Sequence, residues 1–386
     1  MEQEHLQRPA PKFTARPDAP RPQHADRFGT GGRGLPGLLW NRGAKRRERE
    51  LGARLGVTLG PGDGGGQHFS HSELNKLDKV LSALPANDLN NDSGSLRGIV
   101  RGGGQGGMVS LYDSETSQVH IQHPAGMPAW IYTRLQKGSG WQRRLMDLGA
   151  AVGYEGLSVG QRCSVMGCSR SRRQVMGGGA LAHGSLLGWT LRHEIGHSVD
   201  QRHRWAFSEA DKPEFGGWQA YAGSYGCRAV ARAFLAPHGI TDEDVCGWLA
   251  KRIAPDADGN VALSDTLAAD FTRDWPEAAG NVGRDGLRQL AKDLKFATAQ
   301  PWMLPDGGAS RLTRDGRVYQ LDQYGSWCSY LASARDHIVS PYQFSSADEW
   351  FAEAYAAYHD PVPGNTPRHR LHPDAAAWFA AKASGK

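Results

Sequence analysis

The 386-residue chain has no long apolar run. None of its uninterrupted hydrophobic stretches approaches the roughly 18 residues that a membrane-spanning helix needs, so the sequence excludes a transmembrane protein. Its first residues, MEQEHLQRPAPKF, are polar, and no apolar segment follows them. We therefore expect no secretory signal peptide, and export of the protein would need another route.

Cysteine is also scarce, with five residues in the whole chain. A disulfide scaffold would have a higher and even number of cysteines. Cys163 and Cys168 lie close together in sequence, but no second Cys or His pair completes the spacing of a zinc knuckle. We expect free thiols rather than disulfides, a cysteine metal site or a redox pair.

The net charge of +5 is confined to residues 1–66, which carry twelve Lys and Arg against seven Asp and Glu. This segment is rich in Gly and Pro and has no periodic apolar pattern, so we predict a disordered basic tail over 1–66. Its basic cluster at 45–49 could contact nucleic acid, but we favour a solvated stretch. A third hypothesis is that a secretion or injection apparatus reads the tail.

The rest of the chain alternates predicted helices and strands, which indicates an α+β domain over residues 67–386. Between about 205 and 335 the pattern is mostly helical, and we interpret this part as an α-helical insertion. The predicted elements are a helix from Ser72 to Leu84, a β-hairpin over 108–122, a strand over 129–135, helices over 139–151, 185–202, 346–358 and 374–383, several short helices within 226–300, and a loop over 152–180.

The most informative motif is His193-Glu194-Ile195-Gly196-His197, an H-E-x-x-H sequence. Residues four apart lie on one face of a helix, so the two imidazoles can converge on one metal ion. Glu194 is displaced by about 100° around the axis, where it can act on a water molecule instead of binding the metal. The alternative is a pair of core histidines with satisfied hydrogen bonds. An apolar stripe supports a buried helix: Leu186, Leu187, Leu191, Ile195 and Val199.

A catalytic zinc ion takes three protein ligands and one open position, and two residues compete as the third ligand. His203 has the offset found in H-E-x-x-H-x-x-G-x-x-H, but Asp200 stands where that pattern has the glycine of a sharp turn. Glu349 lies in a helix that is apolar nearly all round, with Glu353 one turn later. Buried carboxylates need a metal or a charged partner, so we favour Glu349 over His203.

A capping role for Glu349 is the simpler alternative, because Ser346 and Glu349 have the spacing of a capping box. Ser345 and Asp348 have the same spacing. Ser345 and Asp348 would make an equally good box, which would leave Glu349 free to bind a metal.

HEIGHSVD together with YQFSSADEWFAEAY, residues 342–355, resembles the gluzincin metallopeptidases related to anthrax lethal factor. The resemblance implies a zincin-like fold in which His193, His197 and Glu349 bind one zinc ion and Glu194 is the general base. It also implies that Tyr342 stabilises the transition state and that Glu353 is a second carboxylate beside the site. His197 and Glu349 are 152 positions apart, which is a departure from the family, and this length leaves the substrate open.

We therefore predict a zinc-dependent endopeptidase that acts on a protein or peptide substrate. With no signal peptide, we interpret it as a secreted or injected bacterial toxin or effector that cleaves a target-cell protein. The alternatives are a cytosolic housekeeping metallopeptidase and a non-catalytic zincin-like binding module. We expect Glu353 and Asp200 to accept hydrogen bonds from the zinc-binding histidines. We also expect the hairpin strand ending at Gln122 to pair with an extended substrate.

Overall fold

The computed structural model describes residues 35–62, 68–89, 94–102, 110–121, 186–299, 301, 309–360 and 367–383. These residues form a mixed α+β structure. The α-helices are α1 (Leu35–Leu55), α2 (His71–Leu81), α3 (Ala86–Leu89), α4 (Leu186–His203), α5 (Trp205–Ser208), α6 (Gly223–Leu235), α7 (Glu243–Ile253), α8 (Leu267–Asp274), α9 (Pro276–Ala297), α10 (Ala309–Leu312), α11 (Ala347–Tyr358) and α12 (Pro373–Ala383).

Two four-stranded sheets accompany these helices. The first has the order β1-β2-β4-β3, and the second has the order β5-β8-β7-β6. The strands are β1 (Thr58–Pro61), β2 (Gly98–Arg101), β3 (Ser110–Asp113), β4 (Gln118–Ile121), β5 (Gln219–Tyr221), β6 (Thr313–Arg314), β7 (Arg317–Leu321) and β8 (Trp327–Leu331).

The first sheet contains the predicted hairpin, because β3 and β4 pair antiparallel with Tyr112 opposite Val119. Strand β4 also pairs in parallel with β2, which in turn pairs in parallel with β1. The strand that leads to Gln122 is therefore internal, and its backbone is already paired on both sides. Our expectation that this strand binds an extended substrate is wrong; the edge strand of this hairpin is β3.

The N-terminal prediction also needs correction, because α1 and β1 lie inside the range that we expected to be disordered. Helix α1 turns Ala44, Glu48 and Leu51 inward. The buried Glu48 carboxylate accepts hydrogen bonds from the Phe69 N–H and contacts His68 Nδ1, each at 2.6 Å. Residues 35–62 thus belong to the fold, and residues 1–34 lie outside the described part of the chain.

The region predicted as a helical insertion contains α6, α7 and α9 close to their expected positions. It also contains the second, antiparallel sheet, which the sequence did not predict. The strands of this sheet are two to five residues long, too short to leave a clear alternation in the sequence. The division of the chain into a domain and an insertion stays a prediction.

Several sequence predictions concern residues that are not described: the strand over 129–135, the helix over 139–151, the loop over 152–180, and Cys163 and Cys168. The other three cysteines, Cys227, Cys246 and Cys328, are buried free thiols, as expected. Among the described residues, no helix combines the length and apolar character needed to cross a bilayer.

Helices α4 and α11 pack against each other, and their contact positions the candidate site. Both are buried on nearly every side, so their polar residues must find partners inside the protein. Gly196 lets the helices approach closely, because a Cβ atom there would lie 3.0 Å from the Cα of Ala352. An aromatic cluster supports the end of α4, with Trp205 stacked on Trp350 at 5.4 Å between ring centroids.

Candidate metal centre

His193, His197 and Glu349 bring one ligand atom each to a common point between α4 and α11. His193 Nε2 lies 3.0 Å from Glu349 Oε2, and His197 Nε2 lies 3.5 Å from the same oxygen. The two Nε2 atoms are 3.2 Å apart. Among the described His, Cys, Asp and Glu residues, this group could hold one metal ion.

The size of this triangle fits a tetrahedral metal site. Zinc bonds to imidazole nitrogen and carboxylate oxygen are about 2.0–2.2 Å long, so the edges of a regular tetrahedron of ligands are about 3.3–3.6 Å. The three observed separations, 3.0, 3.2 and 3.5 Å, are close to these edges. Two histidines and one glutamate are also a common ligand set of catalytic zinc sites.

The chemistry of the three atoms also favours a cation. Glu349 is 5% exposed, and its Oε2 is buried without a hydrogen-bond donor. Burial favours the neutral form of this carboxyl, but His197 and His193 outweigh burial and hold the pKa of Glu349 well below its ordinary value. The negative charge is thus retained at a point where two imidazole nitrogens meet it. A bound metal ion would satisfy all three atoms.

The structure places Glu353 at the Nδ1 side of the His193 ring. Its Oε1 lies 2.9 Å from His193 Nδ1 and accepts a hydrogen bond from Trp189 Nε1 at 3.0 Å. Its Oε2 accepts a hydrogen bond from the Ser340 hydroxyl at 2.6 Å. A carboxylate facing Nδ1 favours the proton on that nitrogen, which leaves the Nε2 lone pair free for a metal.

The second oxygen of Glu349, Oε1, is occupied by two donors. The Tyr342 hydroxyl donates to it at 2.8 Å, and the Gln323 amide Nε2 donates to it at 2.7 Å. Burial, with Glu349 nearby, raises the pKa of Tyr342 well above its ordinary value, so its phenol stays protonated. The sequence singled out Tyr342 but not Gln323, which lies in a turn and has no motif around it.

Glu194 is buried one residue beyond His193, and the Ser110 hydroxyl donates a hydrogen bond to its Oε1. Ser110 is the first residue of β3, so the edge strand of the first sheet lies directly beside Glu194. The sequence analysis did not single out Ser110. Only the fold connects the two residues, which are 84 positions apart.

His203 is not part of the metal group, because α4 continues as a helix through Asp200 to His203. Six further helical residues place His203 about 9 Å beyond His197 along the axis. The chain turns instead at Arg204, which has the left-handed φ of 53°. His203 lies beside Arg202 and packs edge-on against Trp378.

Asp200 has a different partner from the one we expected. Its Oδ1 accepts a hydrogen bond from the Ala206 N–H at 2.9 Å, across the turn that follows α4. Burial raises the pKa of Asp200 to about 7. Within the described part of the chain, no hydrogen bond joins Asp200 to His197.

The structure decides between the two serines that could cap α11. Ser346, not Ser345, caps the helix, with its hydroxyl accepting from the Glu349 N–H at 3.5 Å. The Glu349 carboxylate does not return to the cap, because it faces Tyr342, Gln323 and the two histidines. Glu349 therefore takes part in the cap through its backbone N–H, while its side chain stays at the candidate metal site.

Comparisons with protein-family models, with curated proteins and with solved structures find no match to this chain. The geometry of the site therefore carries any assignment of function.

Proposed function

We propose that the protein is a zinc-dependent peptidase of the gluzincin type, with His193, His197 and Glu349 as zinc ligands. The observation that carries this proposal is the convergence of three ligand atoms within 3.0–3.5 Å of one another. Glu194, next to the first histidine, adds a carboxylate that is not a member of this group. A closed structural zinc site would have four protein ligands and no need for a base, so this set favours catalysis.

Bound at these three residues, zinc would polarise a substrate carbonyl and lower the pKa of a water molecule. Glu194 takes a proton from the attacking water and delivers it to the amine that leaves. The Ser110 hydrogen bond orients the Glu194 carboxylate for this transfer. Tyr342 then donates a hydrogen bond from its phenolic hydroxyl to the oxyanion that develops on the substrate.

The substrate class follows from the edge strand beside the base. Among the described strands, β3 pairs with β4 alone, so its other backbone edge can accept an extended peptide. Ser110 joins this strand to Glu194. We infer that a protein or peptide binds along β3 with its scissile bond near Glu194.

The biological setting is a further part of the proposal. The sequence resemblance to a toxin peptidase group favours a toxin or effector that is secreted or injected by a dedicated apparatus and cleaves a target-cell protein. A cytosolic housekeeping peptidase is the alternative. The genes adjacent to this one separate the two, since secretion genes or an immunity partner would favour the effector.

The decisive experiment measures zinc content and casein hydrolysis for wild type and Glu194→Gln. We expect one zinc per chain in both proteins, and hydrolysis only in wild type, because Glu194 acts on water and not on the metal. Glu73→Gln is a matched control, since Glu73 caps α2 and pairs with Arg101, and neither residue belongs to the metal group. Zinc without hydrolysis in wild type would favour a binding module. Loss of zinc in folded Glu194→Gln would contradict the role of this residue.

A further inference from the structure

We propose that Gln323 is a positioning residue of the metal centre, which holds one oxygen of Glu349 so that Tyr342 can leave this carboxylate during the reaction. This inference rests on the proposed function. It assigns a role at the site to the turn between β7 and β8, a part of the chain that the sequence analysis placed in an insertion.

The turn that carries Gln323 is firmly built. The side chain of Asp322 accepts hydrogen bonds from the N–H groups of Tyr324 and Ser326 at 2.9 and 2.8 Å. The Gln323 N–H donates to the Ser345 carbonyl at 3.0 Å, which attaches the turn to the segment before α11. The backbone of Gln323 is therefore anchored without help from its side chain.

The side chain of Gln323 is not needed to hold the turn, and its contacts at the site define its orientation. Nε2 donates to Glu349 Oε1 at 2.7 Å, while Gln323 Oε1 lies 3.2 Å from the Tyr342 hydroxyl, which shares its one hydrogen with Glu349 Oε1 at 2.8 Å. The opposite amide orientation would place a carbonyl oxygen against a carboxylate, so hydrogen bonding selects the observed one. The amide therefore donates a hydrogen bond to Glu349 and is the more distant of two acceptors for the Tyr342 hydroxyl.

These contacts divide the Glu349 carboxylate into two halves. Oε2 faces the histidines, while Oε1 receives Gln323 and Tyr342. A single carboxylate oxygen thus remains for the metal, which favours an open position for substrate and water. Tyr342 has one hydroxyl hydrogen, so it cannot donate to Glu349 Oε1 and to a substrate oxyanion at the same time.

Gln323 resolves this conflict, because Glu349 Oε1 keeps the Gln323 amide as a donor when Tyr342 turns toward the substrate. Without Gln323, departure of the phenol would leave a buried carboxylate oxygen with no donor, which is costly. The two donors are therefore partly interchangeable in the resting site. Loss of either one is buffered by the other, and loss of both is not.

The test is a double-mutant cycle on zinc affinity, measured by competition with a chromophoric chelator, for Gln323→Met, Tyr342→Phe and the double variant. We expect about a 10–100-fold loss of zinc affinity in the double variant, the scale of lost hydrogen bonds to a metal ligand. This loss should exceed the product of the two single losses. In hydrolysis, Gln323→Met should lower kcat and leave KM unchanged, since its side chain does not contact substrate.

Gln320→Met is the matched control, because Gln320 donates Nε2 to the Phe344 carbonyl at 2.7 Å from the same hairpin without contacting Glu349. It should lower thermal stability and leave zinc affinity and kcat unchanged. Unfolding of the chelated proteins shows whether each variant folds, and Gln323→Ala replaces Gln323→Met if the latter does not.

Three results would overturn the inference: multiplicative single losses, wild-type zinc affinity in the double variant, or equal effects of Gln320→Met and Gln323→Met on zinc. These results differ from failure of the proposed function. A wild-type protein that binds zinc but cleaves no peptide leaves the zinc cycle intact as the test of Gln323. A wild-type protein that binds no zinc removes both proposals together.

Discussion

The contact between α4 and α11 buries two polar clusters whose carboxylates are neutralised in different ways. The front cluster consists of His193, His197, Glu349 and Glu353, described above. The rear cluster consists of Arg192, Asp360, Arg202, Asp88 and Tyr355. Arg192 Nη2 lies 3.4 Å from Asp360 Oδ1, both side chains being less than 5% exposed. Asp88 pairs with Arg202 and accepts from the Tyr355 hydroxyl at 2.7 Å.

The clusters differ in what neutralises their carboxylates. In the rear cluster two guanidinium groups face two carboxylates, and guanidinium groups keep their charge at every relevant pH. In the front cluster the groups that face Glu349 and Glu353 are imidazoles, which carry a charge only when protonated. The rear charges are therefore permanent, and the front charge can be supplied by protons or by a metal ion.

This difference indicates that the two clusters of one helix pair have separate roles, stability at the rear and metal binding at the front. A permanent, paired cluster stabilises the contact between the helices and needs nothing from solution. A cluster that exchanges protons for a metal ion is suited to bind that ion reversibly. Changes in the rear should therefore affect stability whether or not metal is bound, whereas changes in the front should affect metal binding and turnover.

The largest effect is expected at the rear, from Arg192→Met. The substitution removes the Arg192 guanidinium from the buried Asp360 carboxylate, and breaking a buried ion pair typically costs about 3–5 kcal/mol. Urea unfolding should show this loss with zinc and with chelator alike. The control is Arg273→Met, which removes the exposed pairs with Asp270 and Asp274 and should leave the free energy of unfolding almost unchanged. A loss of unfolding free energy seen only with zinc would contradict the separate roles of the two clusters.

The sharpest comparison between the clusters uses two buried tyrosines, since Tyr342 donates to Glu349 in front and Tyr355 to Asp88 behind. Tyr342→Phe should retain zinc and lower turnover by about 2.7–4 kcal/mol, the scale of one lost oxyanion donor. Tyr355→Phe should keep turnover and lose about 1–3 kcal/mol of unfolding free energy. Peptide hydrolysis and urea unfolding on both variants measure this, and exchanged phenotypes would refute the assignment.

Much of the front cluster could be predicted because helical spacing specifies it. The bounds of α4 and α11 lie within one residue of the predicted ones, and the spacing alone brings His193 and His197 to one face. Gln323 and Ser110 could not be predicted, because turns and a strand edge bring them to the site from 26 and 84 residues away. No local pattern records such contacts.

Helix α1 was missed for a different physical reason. Composition averaged over residues 1–66 is dominated by Gly, Pro and charge, and it hides a helical face within that range. Ala44, Glu48 and Leu51 recur at helical spacing and are buried. One member of that face is a carboxylate, whose partners His68 and Phe69 are visible only in the fold. The Arg192–Asp360 pair of the rear cluster was also unpredicted, because its two partners are brought together only by the fold.

A smaller effect is expected from removing the third ligand. Glu349→Ala should lower zinc affinity by at least about 10–100-fold, equivalent to 1.4–2.7 kcal/mol. His203→Ala is the control, because His203 contacts Arg202 and Trp378 and not the metal group. Zinc stoichiometry of the two purified variants measures this. Zinc lost in His203→Ala and kept in Glu349→Ala would make the protein metzincin-like and remove the resemblance to the lethal-factor group.

The smallest effect is a pH dependence at the rear, where burial lowers the pKa of His359 to about 4. Arg192 and Arg368 disfavour its protonation further, and Asp88 opposes them. The unfolded state, with a pKa near 6.5, binds more protons between about pH 4 and 6.5, so stability falls as the pH drops through this window.

The expected loss is about 1–2 kcal/mol between pH 7.5 and pH 5. His359→Gln should remove this contribution, because it cannot take up a proton. Unfolding of both chelated proteins at the two pH values measures the difference, and chelation keeps metal loss at the front out of the comparison. Parallel pH profiles for wild type and variant would show that His359 is protonated in the fold. The rear cluster would then hold an exchangeable charge of its own, and its contrast with the front would disappear.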